Sequence, residues 1–402
     1  MSDTISTLLV RVAGIPAGVL EDFGAFTRFF LLDSYLAMAA RPVLGQQFED
    51  HPERVWRYQN RVPKWFANIL PEGELRKYLA GELGVSSERD APLLAAMGGD
   101  LPGAVTVEHA ETNAVKADNF DEESPVPHVD DPTGAKFSVA GHQLKMSMVL
   151  SATKGLTLAG RGQLGGHLVK LPSKGYANVP ENEFVMMQWA HEVGIQTPSS
   201  FLTPTETLNL PFELGTMARQ NAYVVARFDR DKNRRIHIED LNQVLDQWPQ
   251  EKYRYHSYDS LARIIYGVTG SLEDVDEYLR RLVFVVVIGN QDAHLKNWSF
   301  IFADQRRPRL SPAYDLVSTV AYEGLSPGLG LKLGGTKSFE DVQVDSFLRM
   351  ARKMMVPEDR AEQVVRNTLQ RINESASKFV PELSSAHRVA LEKHMGKLPL
   401  LK

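Results

Sequence analysis

The sequence contains no cysteine. Disulfide bridges, thiolate zinc sites and a cysteine nucleophile are therefore excluded, and the absence is compatible with a reducing compartment. Long apolar runs are missing too: residues 29–40 are apolar but include Asp33, and a membrane-spanning helix needs about 20 such residues. The chain begins with Ser2 and Asp3 where a secretory signal would carry positive charge. We expect a soluble, cytoplasmic protein without membrane contact.

An excess of positive charge is also missing. The formal net charge is −5, whereas a chain whose main partner is bare nucleic acid is more often basic. With 402 residues, of which 43% are hydrophobic and 24% charged, the composition is that of a globular protein, and the chain is long enough for two or three domains.

The chain changes character three times along its length. Strand patterns dominate the middle, broken by a predicted helix at 181–192, and helical patterns dominate the remainder, with one predicted hairpin at 299–312. This order predicts an α+β fold with two lobes and a cleft between them, preceded by a small α/β module. The predicted segments are an N-terminal module (1–108), an acidic linker (109–135), a β-rich nucleotide-binding lobe (136–228) and an α-rich catalytic lobe (229–402).

Within the N-terminal module, residues 8–20 alternate between apolar and other residues and contain turn residues, which predicts a strand hairpin. Residues 52–83 carry apolar residues at helical spacing, with a break at 71–73. We therefore predict a helical region there that is interrupted by one turn.

A polar motif follows an apolar segment in the predicted α-rich lobe. Val283–Ile288 is wholly apolar, Gly289 permits a sharp turn, and Asp292 and Asn297 follow, with Asp315 beyond the predicted hairpin. Protein kinases use this order of groups: an Asp that orients the attacking hydroxyl, then an Asn and a second Asp on magnesium. The Asp-to-Asn spacing alone is expected about once by chance in such a chain. The apolar run and the second Asp give the motif its weight.

The first residues of the predicted β-rich lobe could contact a phosphate. Ser138, Ala140 and Gly141 are small and would leave backbone N–H groups open to an anion, and Lys145 could add charge. A strand end followed by a β-turn explains the same residues. The pattern matches neither the Walker sequence nor the glycine-rich loop of ordinary protein kinases.

A lysine in a strand of the same lobe is a second candidate. Lys170 lies within the predicted strand 167–172, and Glu183 is at the start of the following helix. Kinases pair such a strand lysine with a helix glutamate to hold the nucleotide phosphates. Alternatively, Lys170 is an exposed strand lysine and Glu183 is favoured by the helix dipole.

The predicted junction of the two lobes contains a third candidate. Tyr223–Arg230 is an apolar strand with a polar end; its backbone could pair with adenine, and Asp229 could accept from ribose hydroxyls. A buried strand followed by an exposed, salt-bridged turn explains the same residues. For His294 we expect a hydrogen bond to the loop backbone rather than metal ligation, because spacing suited to zinc is absent.

Taken in order, these segments resemble the HipA family of bacterial serine/threonine kinases, the toxins of HipBA toxin–antitoxin modules. The resemblance spans almost the whole chain. The stretches that carry it are 138–145, 168–172, 182–183, 227–230, 289–297 and 312–315, together with 66–73 and 99–107 in the N-terminal module.

The resemblance implies an ATP-dependent protein kinase that uses Mg²⁺. Asp292 would be the catalytic base, and Asn297 and Asp315 would complete the catalytic set as the magnesium ligands. The nucleotide would be contacted by Val139, Ala140, Gly141, Lys145, Lys170, Glu183, Arg227, Phe228, Asp229 and His294.

The resemblance also implies regulation and partners. Ser138 would be an autophosphorylation site that switches the kinase off, since a phosphate there adds a charge of about −2 where ATP phosphates must lie. The partner would be a HipB-like helix-turn-helix antitoxin, so that DNA is met only through the antitoxin. The substrate would be a protein, such as an aminoacyl-tRNA synthetase.

Two departures from the family pattern concern the details. Ala226 stands where the family often has Glu, which affects the hinge. The segment 173–180 is shorter than in well-known members, where it helps to engage the substrate, so the substrate could differ. Two other classes stay open: a kinase of a small molecule or lipid, and a non-catalytic regulatory binding protein. The intact set of Asp292, Asn297 and Asp315 argues against the latter.

Overall fold

The structure is a computed structural model. It describes residues 6–110, 145–151, 155–158, 164–173, 175–210, 218–232 and 234–402. Most of the predicted acidic linker lies outside these residues. Within them, no helix is long and apolar enough to cross a membrane.

The elements of the N-terminal module are β1 (Ser6–Val12), β2 (Ile15–Asp22), β3 (Phe26–Leu31), α1 (Asp33–Leu36), α2 (Gln46–Asp50), β4 (Trp56–Gln59), α3 (Lys64–Asn68), α4 (Gly73–Glu82), α5 (Asp90–Met97) and β5 (Val105–His109). The strands form an antiparallel sheet of order β4-β3-β2-β1-β5. The β1–β2 hairpin turns at Ala13 and Gly14, which both have positive φ (50° and 80°), as a two-residue type I′ turn requires. The predicted hairpin is thus confirmed.

The prediction of a helical region over 52–83 is wrong at its start. Trp56–Gln59 forms the edge strand β4, which pairs antiparallel with β3. Trp56 and Tyr58 are both buried and lie two residues apart, which is the period of a strand, and packing in the aromatic core of this module outweighs the helical spacing. Helices occupy only the later part of the segment.

The elements of the β-rich lobe are β6 (Lys145–Ser151), β7 (Gly155–Leu158), β8 (His167–Lys170), α6 (Val179–Glu192), β9 (Ser200–Pro204) and β10 (Asn221–Ala226). The strands form an antiparallel sheet of order β7-β6-β8-β10-β9, and α6 packs against it. This helix includes the predicted span 181–192.

The elements of the α-rich lobe are β11 (Arg230–Asp231), β12 (Arg234–Arg235), β13 (His237–Asp240), α7 (Leu241–Val244), α8 (Tyr258–Thr269), α9 (Leu272–Val287), β14 (Ser299–Phe302), β15 (Arg309–Leu310), α10 (Val344–Met354), α11 (Glu358–Phe379) and α12 (Ser385–Met395). The lobe forms around α9, whose residues from Leu282 to Val287 are all buried. Ser271 caps the start of this helix by accepting a hydrogen bond from Asp274 N at 3.2 Å. The predicted hairpin at 299–312 is confirmed as β14 and β15.

The N-terminal module packs directly on the α-rich lobe. Trp65 Nε1 donates a hydrogen bond to Glu239 Oε1 at 2.8 Å, and Lys64 Nζ lies 3.3 Å from Asp246 Oδ2. The structure therefore has a β-rich lobe followed by an α-rich lobe, as predicted, with the N-terminal module held against the second.

Candidate active site

The candidate catalytic loop begins where α9 ends. Gly289 has φ +65°, and a Cβ atom at this position would lie 2.3 Å from Val320 Cγ1, so only glycine fits. The end of α9 is held by the last helix of the chain, α12, because His394 Nε2 lies 2.9 Å from Val286 O. Thr319 Oγ1 donates to Gly289 O (3.0 Å) and accepts from Gln291 N (2.8 Å). The first turn of the loop is thus fixed from two other parts of the lobe.

Asp292 is held within this loop by its own neighbours. Its backbone N–H donates to Asn290 Oδ1 at 2.9 Å, and Tyr253 donates its hydroxyl proton to Asp292 Oδ1. Asp292 also lines a cavity together with Pro327, Gly330 and other residues of the segment 325–330. A carboxylate fixed beside an open cavity can orient a hydroxyl group that enters it.

Asn297 and Asp315 lie side by side. Asn297 Nδ2 donates to Asp315 Oδ2 at 3.2 Å, and Asn297 Oδ1 accepts from His294 N at 2.8 Å. Asp315 has φ +55°, a left-handed conformation that Asp adopts more readily than most residues. The predicted hairpin brings these residues together although 18 positions separate them in the sequence.

Lys170 joins the β-rich lobe to this pair. It ends β8 and contacts both Glu183 Oε1 on α6 and Asp315 Oδ1 on the α-rich lobe. Lys170 and Glu183 are only 3% and 2% exposed, so Lys170 is not the exposed strand lysine that the sequence left open. Burial acts to lower the pKa of Lys170, but the carboxylates of Asp315 and Glu183 outweigh it and raise that pKa above its usual value. The lysine therefore stays charged.

A further contact fixes the helix that carries Glu183. Asn182 Nδ2 donates to Ser318 O at 2.7 Å, and Asn182 Oδ1 accepts from Ser318 N at 3.2 Å. These paired bonds tie α6 to the segment that follows Asp315. The two lobes are thus joined by a second contact, next to that of Lys170.

His294 is buried beside the catalytic loop. Neither ring nitrogen has a hydrogen-bond partner among the described residues, so the predicted bond from its ring to the loop backbone is not formed. The ring packs edge-on against Tyr253 with centroids 5.0 Å apart. Burial, followed by the nearby Lys252, lowers the pKa of His294 well below its usual value, and the imidazole is neutral at physiological pH.

The residues at the predicted hinge have different surroundings. The Arg227 guanidinium donates to Asp229 (2.9 and 2.8 Å) and to Asp100, while Gly103 N donates to Asp229 Oδ2 at 2.8 Å. Asp229 is buried. The structure therefore favours the salt-bridged turn over a ribose contact for Asp229, and that turn is buried against the N-terminal module rather than exposed.

Phe228 and Lys145 are the remaining residues that were predicted to contact the nucleotide and that lie within the described part of the chain. The Phe228 ring lies 5.7 Å from that of Tyr314, next to Asp315. The backbone of Lys145 pairs with that of Lys170 in the sheet. Ser138, Val139, Ala140 and Gly141 lie outside the described residues.

Sequence reasoning missed Tyr253, which contacts Asp292 from 39 residues upstream. No motif surrounds it that would have indicated the contact. It also missed Glu72, which contacts Lys296 inside the loop from 224 residues away. The segment around Glu72 was noted only as a turn and as part of a family resemblance.

The chain matches two family models. The HipA N-terminal domain matches residues 8–108, and the HipA-like C-terminal domain matches residues 137–376. The second match alone covers more than half of the chain, and the two together follow the order seen in the structure.

Relatives match over most of their lengths. The "Putative kinase Y4dM" of Sinorhizobium fredii is 38% identical over 91% of this chain and 90% of its own. The serine/threonine-protein kinase toxin HipA of Shewanella oneidensis is 26% identical over 68% of this chain and 67% of its own. The fold matches that of a Shewanella oneidensis HipA–HipB–operator DNA complex with a TM-score of 0.74 and 19% identity, over 97% of this chain and 95% of that one. The predicted two-lobed α+β fold is thereby confirmed, and the chain belongs to the HipA family.

Proposed function

We propose that this protein is an ATP-dependent serine/threonine kinase that acts on a protein substrate. The observation that carries the proposal is the contact of Lys170 with Glu183 and Asp315, beside Asn297. In protein kinases a strand lysine paired with a helix glutamate holds the nucleotide, and an Asp and an Asn hold magnesium. Membership of a family with kinase-named relatives agrees with this reading.

The donor set at Asn297 and Asp315 suits Mg²⁺. A carboxylate and an amide oxygen are hard ligands of the kind that magnesium prefers. In the structure the 3.2 Å contact with Asp315 is made by Asn297 Nδ2, while Asn297 Oδ1 accepts from His294 N, so Asn297 would rotate its amide group to present its oxygen to the ion. The bound ion would neutralise charge on the transferred phosphoryl group. Lys170, which stays charged, would hold the phosphates from the opposite lobe.

Asp292 would act on the acceptor. An incoming serine or threonine hydroxyl would be oriented by its carboxylate and give up its proton to it. The new oxygen–phosphorus bond forms as the bond between the γ-phosphorus and ADP breaks. Tyr253 holds the carboxylate in place during this step, and the neutral His294 adds no positive charge that would compete with the metal.

We extend the proposal to regulation and partners. The protein would be the toxin of a HipBA-like pair, bound by a HipB-like antitoxin and meeting DNA through it. The fold shared with a HipA in complex with HipB and operator DNA supports this partner. The substrate would be a translation-related protein such as an aminoacyl-tRNA synthetase, and Ser138 would be the site of self-inactivation.

Mass spectrometry after incubation with Mg-ATP tests the activity. We expect phosphate on Ser138 in the wild type and none in Asp292→Ala, because the variant lacks the group that orients the hydroxyl. Label in a solvent-extractable product rather than in protein would favour a small-molecule or lipid kinase. Absence of Mg-ATP binding would overturn the proposal in favour of a non-catalytic binding protein.

A further inference from the structure

A second charged cluster lies behind the catalytic loop. Glu72 of the N-terminal module places its two carboxylate oxygens between two lysines of the α-rich lobe. Oε1 lies 2.6 Å from Lys296 Nζ, and Oε2 lies 3.0 Å from Lys252 Nζ. Lys296 Nζ also donates to Asn68 O at 3.0 Å, in α3 of the same module. The N-terminal module thus touches the α-rich lobe next to its candidate catalytic residues.

Both lysines are connected to groups that would contact the substrate or the metal. Lys296 is inside the loop and immediately precedes Asn297. Lys252 accepts a hydrogen bond from Leu295 N at its backbone oxygen (3.1 Å), and it immediately precedes Tyr253, which contacts Asp292. The Glu72 carboxylate therefore holds both the lysine before Asn297 and the lysine before the tyrosine that contacts Asp292.

The direction of the Lys296 side chain excludes a direct contact between its ammonium group and the nucleotide phosphates. A lysine in a kinase catalytic loop could be expected to reach the phosphates, but this ammonium is held by Glu72 and Asn68. On the opposite side, Tyr314 donates to Lys296 O at 2.8 Å and is followed by Asp315. Lys296 is thus fixed between the N-terminal module and the residue before the second metal ligand.

Glu72 remains ionised in this setting. Burial acts to raise its pKa, but the ammonium groups of Lys296 and Lys252 outweigh that effect and hold the pKa of Glu72 well below its usual value. The contact persists through the pH range in which a kinase would work.

We propose that Glu72 is a positioning residue for phosphotransfer, through which the N-terminal module fixes the catalytic loop. It touches neither nucleotide nor acceptor, and it acts through Lys296 and Lys252 on Asn297 and Asp292. The inference rests on the proposed kinase function for its effect on rate. Its effect on loop order does not depend on that function.

Glu72→Gln tests the role, because it keeps the shape of the side chain and removes its charge. Losing a residue that orients a metal ligand costs about 10–100-fold in metal affinity or activity. We expect the Mg²⁺ concentration for half-maximal rate to rise by about 10-fold. Lys252→Gln should reproduce part of the effect, since it removes one of the two contacts.

The matched control is Asp246→Asn. It breaks another ion pair between the same two modules, Lys64 with Asp246, but one that does not reach the loop. We expect its Mg²⁺ requirement to equal that of the wild type. Hydrogen exchange of the 290–297 peptide in the nucleotide-free protein is the second readout, and it should be faster in Glu72→Gln and unchanged in Asp246→Asn.

The outcomes separate the two proposals. Suppose that Glu72→Gln and Asp246→Asn show the same hydrogen exchange of the 290–297 peptide and the same Mg²⁺ requirement. Glu72 then only docks the N-terminal module, and the positioning role is wrong. A wild type without phosphotransfer would overturn the proposed function, while faster loop exchange in Glu72→Gln alone would still support the structural part. Thermal unfolding of every variant identifies any that fails to fold.

Discussion

Two largely buried charge clusters lie where the β-rich lobe meets the rest of the protein. From the sequence, Lys170 and Glu183 of the first and Arg227 and Asp229 of the second were assigned to the nucleotide. In the first, Lys170 faces the carboxylates of Glu183 and Asp315. In the second, Arg227 and Arg230 face Asp229 and Asp100, and Arg235 lies 4.0 Å from Asp100, so that three guanidinium groups meet two carboxylates. The first cluster joins the two lobes at the candidate metal ligands, whereas the second fastens the N-terminal module. An excess of negative charge within a buried cluster suits a cation, whereas a cluster without such an excess suits a structural joint.

The largest effect should come from breaking the arginine cluster. Arg230→Met takes from the buried Asp229 one of its two guanidinium partners, and removing one partner of a buried pair costs about 3–5 kcal/mol. We expect the urea midpoint, followed by tryptophan fluorescence, to fall sharply while the activity of the folded fraction is retained. Arg234→Met is the control, because its pair with Asp231 is exposed and should contribute little. Loss of activity without loss of stability would contradict this assignment.

The complementary variant changes the cluster around Lys170. Asp315→Asn keeps the shape of the side chain but removes one anionic ligand and one partner of Lys170. Since residues that only orient a ligand contribute up to about 100-fold, we expect phosphotransfer to fall by at least about 100-fold. Asp315→Asn should lose more phosphotransfer activity than Asp229→Asn and a smaller part of its unfolding free energy. The comparison between clusters would fail if the two variants showed the same pattern.

A further buried carboxylate, outside both clusters, sharpens the comparison because the groups that donate hydrogen bonds to it are neutral. Glu239 accepts from Trp65 Nε1 and Gln46 N, and burial raises its pKa to about 8. Its folded-state pKa exceeds the unfolded value, so the folded state binds the proton more tightly and stability falls as pH rises between about 4.5 and 8. Each pH unit between the two pKa values is worth about 1.4 kcal/mol.

Glu239→Gln should therefore flatten the pH dependence of the urea midpoint across that range. We expect the loss of unfolding free energy from pH 5 to pH 8 to shrink by at least about 1.4 kcal/mol. An identical slope in the wild type and the variant would show that Glu239 is ionised in the folded protein.

The fold was predictable because its signals are local. Alternation gave the β1–β2 hairpin, and the apolar run at 283–288 gave the buried end of α9 and hence the loop after it. The strand at Trp56 was not, since Trp56 was counted with the apolar residues at helical spacing that follow it, and only the surrounding core shows that Trp56 and Tyr58 are buried together at the two-residue period of a strand.

The site was predictable where its residues share one motif. Asp292 and Asn297 lie in one loop, and Asp315 follows one hairpin later. Tyr253 and Glu72 were not predictable, because their roles arise from contacts across 39 and 224 residues. Asp229 was assigned to ribose because the sequence cannot show that Asp100 and Gly103 come to lie beside it.

The contact of His394 with Val286 has a consequence for folding during synthesis of the chain. Helix α9 and the loop after it are synthesised about a hundred residues before α12, yet the end of α9 gains this partner only when residue 394 has left the ribosome. Until then, Gly289 lacks one of the surfaces that enclose it. A ribosome-bound chain therefore carries the candidate catalytic loop without this support until α12 docks.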